Sequence, residues 1–269
     1  MSINDSSYRL PIIHAQNAFQ TFTTGTNTPL VVRGIEENSK QKMDAVVKFR
    51  AAGRMSPQAN MRELLAAFIA KEWDLSVVQP ALIYITEPFV ELLKEQPIFK
   101  IASKSVGLNV GSLLEPDKRT IAIFEPLNEE QKKHARRIFS FDAFIMNSDR
   151  TYEKPNMITD GEVITILDHE ISFSFVLDLI KKPEPWKFNQ NDINSLEKHC
   201  LYQKIKGETF PDDFLRDSLD KLDTDFWNRA EQLIPDAWLS EQFDEIRDYL
   251  NTITNHKKEF LTEIKRVLA

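Results

Sequence analysis

Oxygen-bearing side chains gather in one polar segment in the second half of the chain. Asp149 lies within residues 147–156, a turn-like segment that Asn156 ends, and Asp168 follows the apolar run at residues 163–167. Phosphoryl transfer needs oxygen ligands for magnesium and a carboxylate that orients the attacking hydroxyl. Asp149 suits the hydroxyl, and Asp168 with Asn156 suits the metal. The spacing therefore predicts a phosphotransfer centre.

A lysine and a glutamate from the first half of the chain are predicted to join this centre. Lys48 stands in the apolar strand pattern Val46-Val47-Lys48-Phe49, and Glu63 lies in the helical pattern that follows it. A charged group among apolar neighbours needs a partner, because unpaired burial is costly. We therefore expect Lys48 and Glu63 to form an ion pair.

Each of these residues also has a plain structural interpretation. Lys48 could be an edge-strand lysine whose amine reaches water, and Asp149 with Arg150 could be a solvated turn pair. Asp168 could end a strand as a cap. The order of these residues along the chain argues against coincidence. A kinase site needs the same order: a strand lysine, a helix glutamate, an Asp and an Asn in a loop, and an Asp at the end of a strand.

The elements that would position these residues divide the chain into two compositional halves. Runs rich in Val, Ile, Phe and Thr at residues 18–23, 30–35, 44–49 and 81–85 predict four strands of one antiparallel sheet. Apolar residues at helical spacing predict a helix over 60–73 that packs on the sheet, another helix from about residue 129, and further helices after residue 181. These patterns predict an α+β chain with a β-rich part at residues 1–86 and a mostly helical part at 87–269.

Composition narrows the classes of function. Lys and Arg total 34 against 41 Asp and Glu, a net charge of −7, which argues against direct nucleic-acid binding. The single cysteine and the histidine spacing argue against a zinc centre, and the glycines form no dinucleotide or Walker motif. No membrane-length apolar run and no leader pattern is seen, so a cytoplasmic protein without membrane association is expected.

Taken together, these motifs resemble the HipA-like protein kinases. The resemblance covers residues 21–175 and includes a Thr-Gly-Thr turn, the Val-Val-Lys strand, the glutamate helix and the sequence GLNVGS at 107–112. It also includes the Phe-Asp-x-x-x-x-Asn-x-Asp-Arg-Thr segment at 141–151 and the Leu-Asp-His sequence at 167–169. Each motif is weak alone, and the set is fairly specific.

The resemblance implies a bilobal protein-kinase-like fold that uses ATP and Mg²⁺ to phosphorylate a Ser or Thr hydroxyl of a protein. Lys48 would hold the nucleotide phosphates, with Glu63 as its partner, Asp149 would be the catalytic aspartate, and Asp168 would bind metal. A turn at residues 25–29, with Gly25 and Thr26, would cover the phosphates, although it is poor in glycine. A toxin–antitoxin or stress-response setting and an antitoxin-type partner are also implied.

One position departs from the family pattern. The metal-binding asparagine of these kinases usually lies five residues after the catalytic aspartate, where this chain has Lys154. Either Asn156 would then take over the metal or the second metal site would be altered, and Lys154 would contact phosphate instead. Arg150 would either contact phosphate as well or brace the loop. Two alternatives stay open: a catalytically silent pseudokinase that acts as a binding or regulatory partner, and a kinase of small molecules.

Overall fold

Five strands close into a barrel in the first part of the chain. The computed structural model describes residues 1–21, 28–210 and 212–269. The barrel order is β1-β2-β3-β5-β4, and β1 pairs in parallel with β4 to close it. The strands are β1 (Ile12–Thr21), β2 (Leu30–Glu36), β3 (Lys42–Lys48), β4 (Pro80–Ile85) and β5 (Gly107–Leu113). Lys48 is the last residue of β3, and its strand partner in β5 is Val110.

The predicted strands are found, but their arrangement differs from the prediction. The expectation of one antiparallel sheet is wrong, because the β1–β4 pair is parallel and the sheet is closed. Strand β1 begins six residues earlier than predicted, and the end of the predicted strand at residues 22–23 lies outside the described residues. The fifth strand is not among the predicted strands, because its sequence GLNVGSL contains glycine and asparagine, which are poor strand formers.

Strand β5 extends the β-rich part of the chain beyond the predicted boundary at residue 86. It pairs with β3 on one side and with β4 on the other. Gly111 is required in this strand, because a Cβ there would collide with the carbonyl oxygen of Val46 in β3. The backbones of β3 and β5 therefore approach each other closely next to Lys48.

Helix α1 (Pro57–Glu72) carries Glu63 and joins the barrel to the rest of the chain. Ser56 caps its N-terminus by accepting a hydrogen bond from the backbone N–H of Ala59, and Pro57 occupies the first turn. The C-terminal end is held by Trp73, which is fully buried and stacks on Phe144 with ring centroids 5.1 Å apart. The helix thus packs against the helical part of the chain as well as against the barrel.

The remaining elements are mostly helices. A small sheet in the order β6-β7-β8 lies among them and is formed by β6 (Arg119–Thr120), β7 (Met157–Thr159) and β8 (Ile164–Ile166). The helices are α2 (Glu87–Glu91), α3 (Phe99–Ala102), α4 (Glu129–Phe144), α5 (Gln190–Glu197), α6 (Tyr202–Ile205), α7 (Asp212–Asp220), α8 (Thr224–Leu233), α9 (Glu241–Asn255) and α10 (Lys257–Leu268). Short 3₁₀ turns occur at Ser174–Leu177 and Asp236–Trp238.

Two hydrophobic cores support these elements. The smaller core fills the barrel with inward-facing side chains such as Val32, Val47 and Ile83. The larger core joins α1 to the C-terminal helices and includes Leu82 and Val110 from the other face of the barrel strands. Within the three described ranges, every helix is too short or too polar to cross a membrane.

Candidate active site

The end of strand β3 meets α1 and the segment after β8 around a single ammonium group. Lys48 Nζ lies 2.6 Å from Asp168 Oδ1, 3.0 Å from Glu63 Oε2 and 3.4 Å from Glu170 Oε2. The backbone N–H of His169 also donates to Glu63 Oε2, at 2.7 Å. Lys48 and Asp168 are 120 residues apart in the chain. The fold therefore brings together three of the four side chains on which the sequence prediction depends.

Charge is crowded in this cluster. Burial lowers the pKa of Lys48, but the negative charges of Asp168, Glu63 and Glu170 outweigh the effect of burial. The pKa of Lys48 is therefore raised, and the side chain stays charged. Burial raises the pKa of Glu63 to about 7 and also raises that of Glu170. The pKa of Asp168 is lowered, because Lys48 outweighs the effect of burial. Three carboxylates thus contact one ammonium group.

The predicted catalytic aspartate lies in the loop after helix α4. The Asp149 backbone N–H donates to Asn147 Oδ1 at 3.2 Å, and its side chain is 18% exposed. Lys154 Nζ lies 3.8 Å from Asp149 Oδ1, and the Lys154 side chain is 43% exposed. The lysine that replaces the expected asparagine therefore faces the carboxylate proposed to orient a substrate hydroxyl.

Arg150 braces the loop from inside the protein. Its Nε donates to Asp142 Oδ2 at 2.6 Å, and its Nη1 donates to the carbonyl oxygens of Asn156 at 2.6 Å and Leu167 at 3.4 Å. The Arg150 side chain has no exposed surface. This burial argues against a contact of Arg150 with nucleotide phosphate, because the guanidinium is enclosed by protein. The bracing alternative is the one that the structure supports.

Asn156 lies where the loop turns into strand β7. Its carbonyl oxygen accepts hydrogen bonds from Arg150 and from the backbone N–H of Leu167, the residue before Asp168. Its side-chain Nδ2 is buried and has no hydrogen-bond partner among the described residues. Asn156 and Asp168 both adopt left-handed backbone, with φ of 47° and 62°. Non-glycine residues held in this region are strained and cluster at functional sites.

The donor set fits a hard divalent cation. Carboxylate oxygens of Glu63, Asp168 and Glu170 all lie within 4.8 Å of one another. Magnesium prefers carboxylate oxygens at about 2.0–2.1 Å, together with substrate phosphates.

The predicted phosphate-covering residues Gly25 and Thr26 lie outside the described residues.

Comparison with known proteins decides the family. The family model described as HipA-like kinase matches residues 39–266. The chain belongs to the HipA-like kinase family. The resemblance predicted from the motifs is thereby confirmed, and it continues through the C-terminal helices. Membership in a kinase family supports a phosphotransferase, and kinases in general use a nucleotide with a divalent metal.

Two solved kinases are similar to this HipA-like kinase at low sequence identity. The proinflammatory kinase CtkA of Helicobacter pylori shares 12% identity with a TM-score of 0.44, over 93% of this chain and 95% of CtkA. The MAP kinase LmaMPK10 of Leishmania major shares 11% identity with a TM-score of 0.32, over 94% of this chain and 84% of the other. No curated protein matches the sequence. The family membership follows from the match over residues 39–266.

Sequence reasoning missed three charged or titratable groups at this site. Glu170 follows Asp168 by two residues and contacts the same ammonium, and Asp142 lies eight residues before Arg150. His199 reaches Asp142 from the start of the C-terminal helices. Asp142 stands within the segment quoted at 141–151 and Glu170 directly follows the Leu-Asp-His sequence at 167–169, so a search for carboxylates near each motif would have found them. His199 carried no such signal, because its partner is 57 residues away.

The position of His169 directly after Asp168 favours a hydrogen-bonded structural histidine over a proton shuttle, and this prediction is only partly right. The ring is buried, with an edge-to-face contact to Phe141 at 5.9 Å. Neither ring nitrogen has a hydrogen-bond partner among the described residues. Burial, reinforced by Arg150, lowers the pKa of His169 to about 3. The imidazole is therefore neutral at physiological pH, which disfavours the proton-shuttle alternative.

Proposed function

We propose that this protein transfers the γ-phosphoryl group of ATP, with Mg²⁺, to a Ser or Thr hydroxyl of a protein. The observation that carries the proposal is the contact of Lys48 Nζ with Asp168 and Glu63. A lysine, a helix glutamate and a strand-end aspartate in this relation form the phosphate and metal side of a kinase site. The nucleotide would lie between a β-rich N-terminal lobe and a helical C-terminal lobe, with Lys48 directed at its phosphates.

Each residue of the site has a separate role in the proposed phosphoryl transfer. Glu63 orients Lys48, and Asp149 accepts the proton of the attacking hydroxyl as its oxygen bonds to phosphorus. The bond between the γ-phosphorus and the bridging oxygen breaks, and ADP leaves. Asp168 and Asn156 would hold magnesium, and Glu170 lies next to Asp168. When bound, the metal neutralises charge on the phosphate oxygens.

The decisive experiment separates chemistry from binding. Purified protein is incubated with γ-labelled ATP and magnesium, and label is followed on the protein itself, on a mixed protein extract and on small hydroxyl compounds. Asp149→Asn should lower the transfer rate about 100- to 10,000-fold and leave ATP affinity nearly unchanged, because Lys48 and Asp168 remain. Asp217→Asn, at an exposed position of α7, is the matched acid-to-amide control and should transfer like the parent.

Other outcomes would change the proposal in specific ways. Label on small molecules alone would replace the protein substrate with a metabolite. Folded wild-type protein that labels nothing, or an Asp149→Asn variant as active as the parent, would refute the catalytic proposal. Mapping of self-label to the threonines of residues 21–28 would identify a protein hydroxyl as acceptor.

A second candidate function is a catalytically silent pseudokinase that binds nucleotide and acts on a partner. The observation that favours it is Lys154, whose ammonium faces Asp149 at 3.8 Å. That charge opposes magnesium near the loop. Under this alternative, the parent binds nucleotide without a magnesium requirement, and Lys154→Asn confers magnesium-dependent binding. If the parent already requires magnesium, the pseudokinase candidate fails.

The biological setting stays a prediction from the resemblance. A toxin–antitoxin or stress-response role and an antitoxin-type partner have this status, whereas a cytoplasmic location and the absence of direct nucleic-acid and membrane contacts stay predictions from the charge and hydropathy of the sequence. The net charge of −7 supports the expectation on nucleic acid. Co-purification of the tagged chain with its native partners would test the partner directly.

A further inference from the structure

A histidine from outside the catalytic segment completes the buried network around Asp142. The carboxylate accepts hydrogen bonds from Asn147 at 2.8 Å and from Arg150 at 2.6 and 3.2 Å, and all three residues lie within nine positions of one another. His199 Nε2 lies 2.9 Å from Asp142 Oδ2. It is 4% exposed, so water does not compete for this contact.

The histidine ring is fixed on every side. His199 Nδ1 accepts a hydrogen bond from the backbone N–H of Leu201 at 3.1 Å, so in the neutral ring the proton lies on Nε2 and is donated to Asp142. The edge-to-face contact with Phe139 of α4, with centroids 5.2 Å apart, holds the ring plane. One orientation and one tautomer therefore satisfy all of these contacts.

The backbone around His199 also forms hydrogen bonds with the loop just after Asp149. Thr151 and His199 form an isolated antiparallel bridge. The backbone N–H of Cys200 donates to the carbonyl oxygen of Arg150 at 3.0 Å. The two residues that follow Asp149 are thus held by the same short segment whose side chain binds Asp142.

We propose that His199 is a positioning residue that holds Asp149 in place for phosphoryl transfer. The inference deepens the proposed function and rests on it. The imidazole holds Asp142, and Asp142 holds the guanidinium of Arg150. Arg150 in turn holds the carbonyl oxygens of Asn156 and of Leu167, the residue before Asp168. Loss of the imidazole moves the loop that carries Asp149, whereas Asp168 keeps its ion pair with Lys48, which in turn keeps its contact with Glu63 of α1.

Two substitutions test the hydrogen bond that His199 donates to Asp142 without removing most of the side-chain volume. His199→Phe keeps a ring against Phe139 but cannot donate to Asp142, and His199→Gln keeps an N–H donor of similar reach. We expect His199→Phe to lower kcat on the order of 100-fold, as for a catalytic group displaced by about 1 Å. The KM for ATP should change less than about threefold, and His199→Gln should recover at least about tenfold of the lost kcat. His256→Phe is the matched control, because the His256 ring contacts Trp186 and the carbonyl oxygen of Thr252 rather than Asp142.

A second readout does not depend on catalysis. Amide hydrogen exchange at residues 149–151 should be faster in His199→Phe than in the parent and restored in His199→Gln, while exchange in β3 stays unchanged. Equal kcat in the Phe variant and the parent, equal losses in the Phe and Gln variants, or exchange that rises uniformly over the chain would each overturn the role. A parent that transfers no label refutes the proposed function, and the exchange pattern then still decides whether His199 holds the loop.

Discussion

The two charged clusters of this protein, around Asp142 and around Lys48, differ in how their charges are balanced. Around Asp142 the carboxylate meets Arg150, His199 and Asn147, and each donor is directed at an acceptor. Arg150 and His199 outweigh the effect of burial and hold the pKa of Asp142 well below its ordinary value. Around Lys48, by contrast, three carboxylates share one ammonium. Burial raises the pKa values of two of these carboxylates above their ordinary range.

This difference separates a structural network from a binding site. A buried network in which every group is paired fixes geometry, and removal of one member leaves an uncompensated charge. A cluster with surplus negative charge is less favourable by itself and suits a ligand that brings positive charge. We therefore expect substitutions in the two clusters to change stability with opposite signs.

The largest effect is expected from loss of the arginine in the balanced network. Arg150→Met should lower the free energy of unfolding by about 3–5 kcal/mol, because it leaves the Asp142 carboxylate buried without its cation. Urea denaturation at pH 7.5 measures the change.

An exposed pair provides the matched control for this substitution. Arg33 also binds its aspartate, Asp44, with two hydrogen bonds, at 2.6 and 2.7 Å, but both side chains are partly exposed. Arg33→Met should cost less than about 1 kcal/mol. Equal losses in the two variants would show that burial of the Asp142 network contributes nothing to stability.

A smaller effect is expected from the histidine between the clusters. His169 has a pKa of about 3 in the folded protein and about 6.5 in the unfolded chain, so only the unfolded chain gains a proton between these pH values. Acidification from pH 7.5 to pH 5 should therefore destabilise the parent by about 2 kcal/mol through this residue. His169→Leu should remove that part of the loss. Parallel pH profiles of unfolding free energy for parent and variant would contradict the expectation.

The smallest effect is expected in the Lys48 cluster, with the opposite sign. Glu170→Gln removes one buried negative charge and keeps the shape, so it should stabilise the magnesium-free protein by about 1 kcal/mol. Magnesium with nucleotide should then raise the melting temperature less in the variant than in the parent. A variant that is less stable than the parent without magnesium would remove the distinction between the two clusters.

The sequence by itself determined which residues could do the chemistry. Lys48 in an apolar strand, Glu63 in an apolar helix and Asp168 after an apolar run each carried a local signal, because a charge among apolar neighbours needs a purpose or a partner. Strand and helix periodicities were also local, and they predicted α1, α4 and four of the barrel strands. The chain order of these residues was sufficient to indicate the kinase family.

Only the tertiary structure decided how those residues are paired. Barrel closure through β5 depends on pairing with strands far away in the chain, and its glycines gave no strand signal of their own. The role of Arg150 depended on burial, which places its guanidinium under the loop and away from solvent. Glu170 and His199 gained their partners from distant segments, and contacts across such separations leave no trace in local residue patterns.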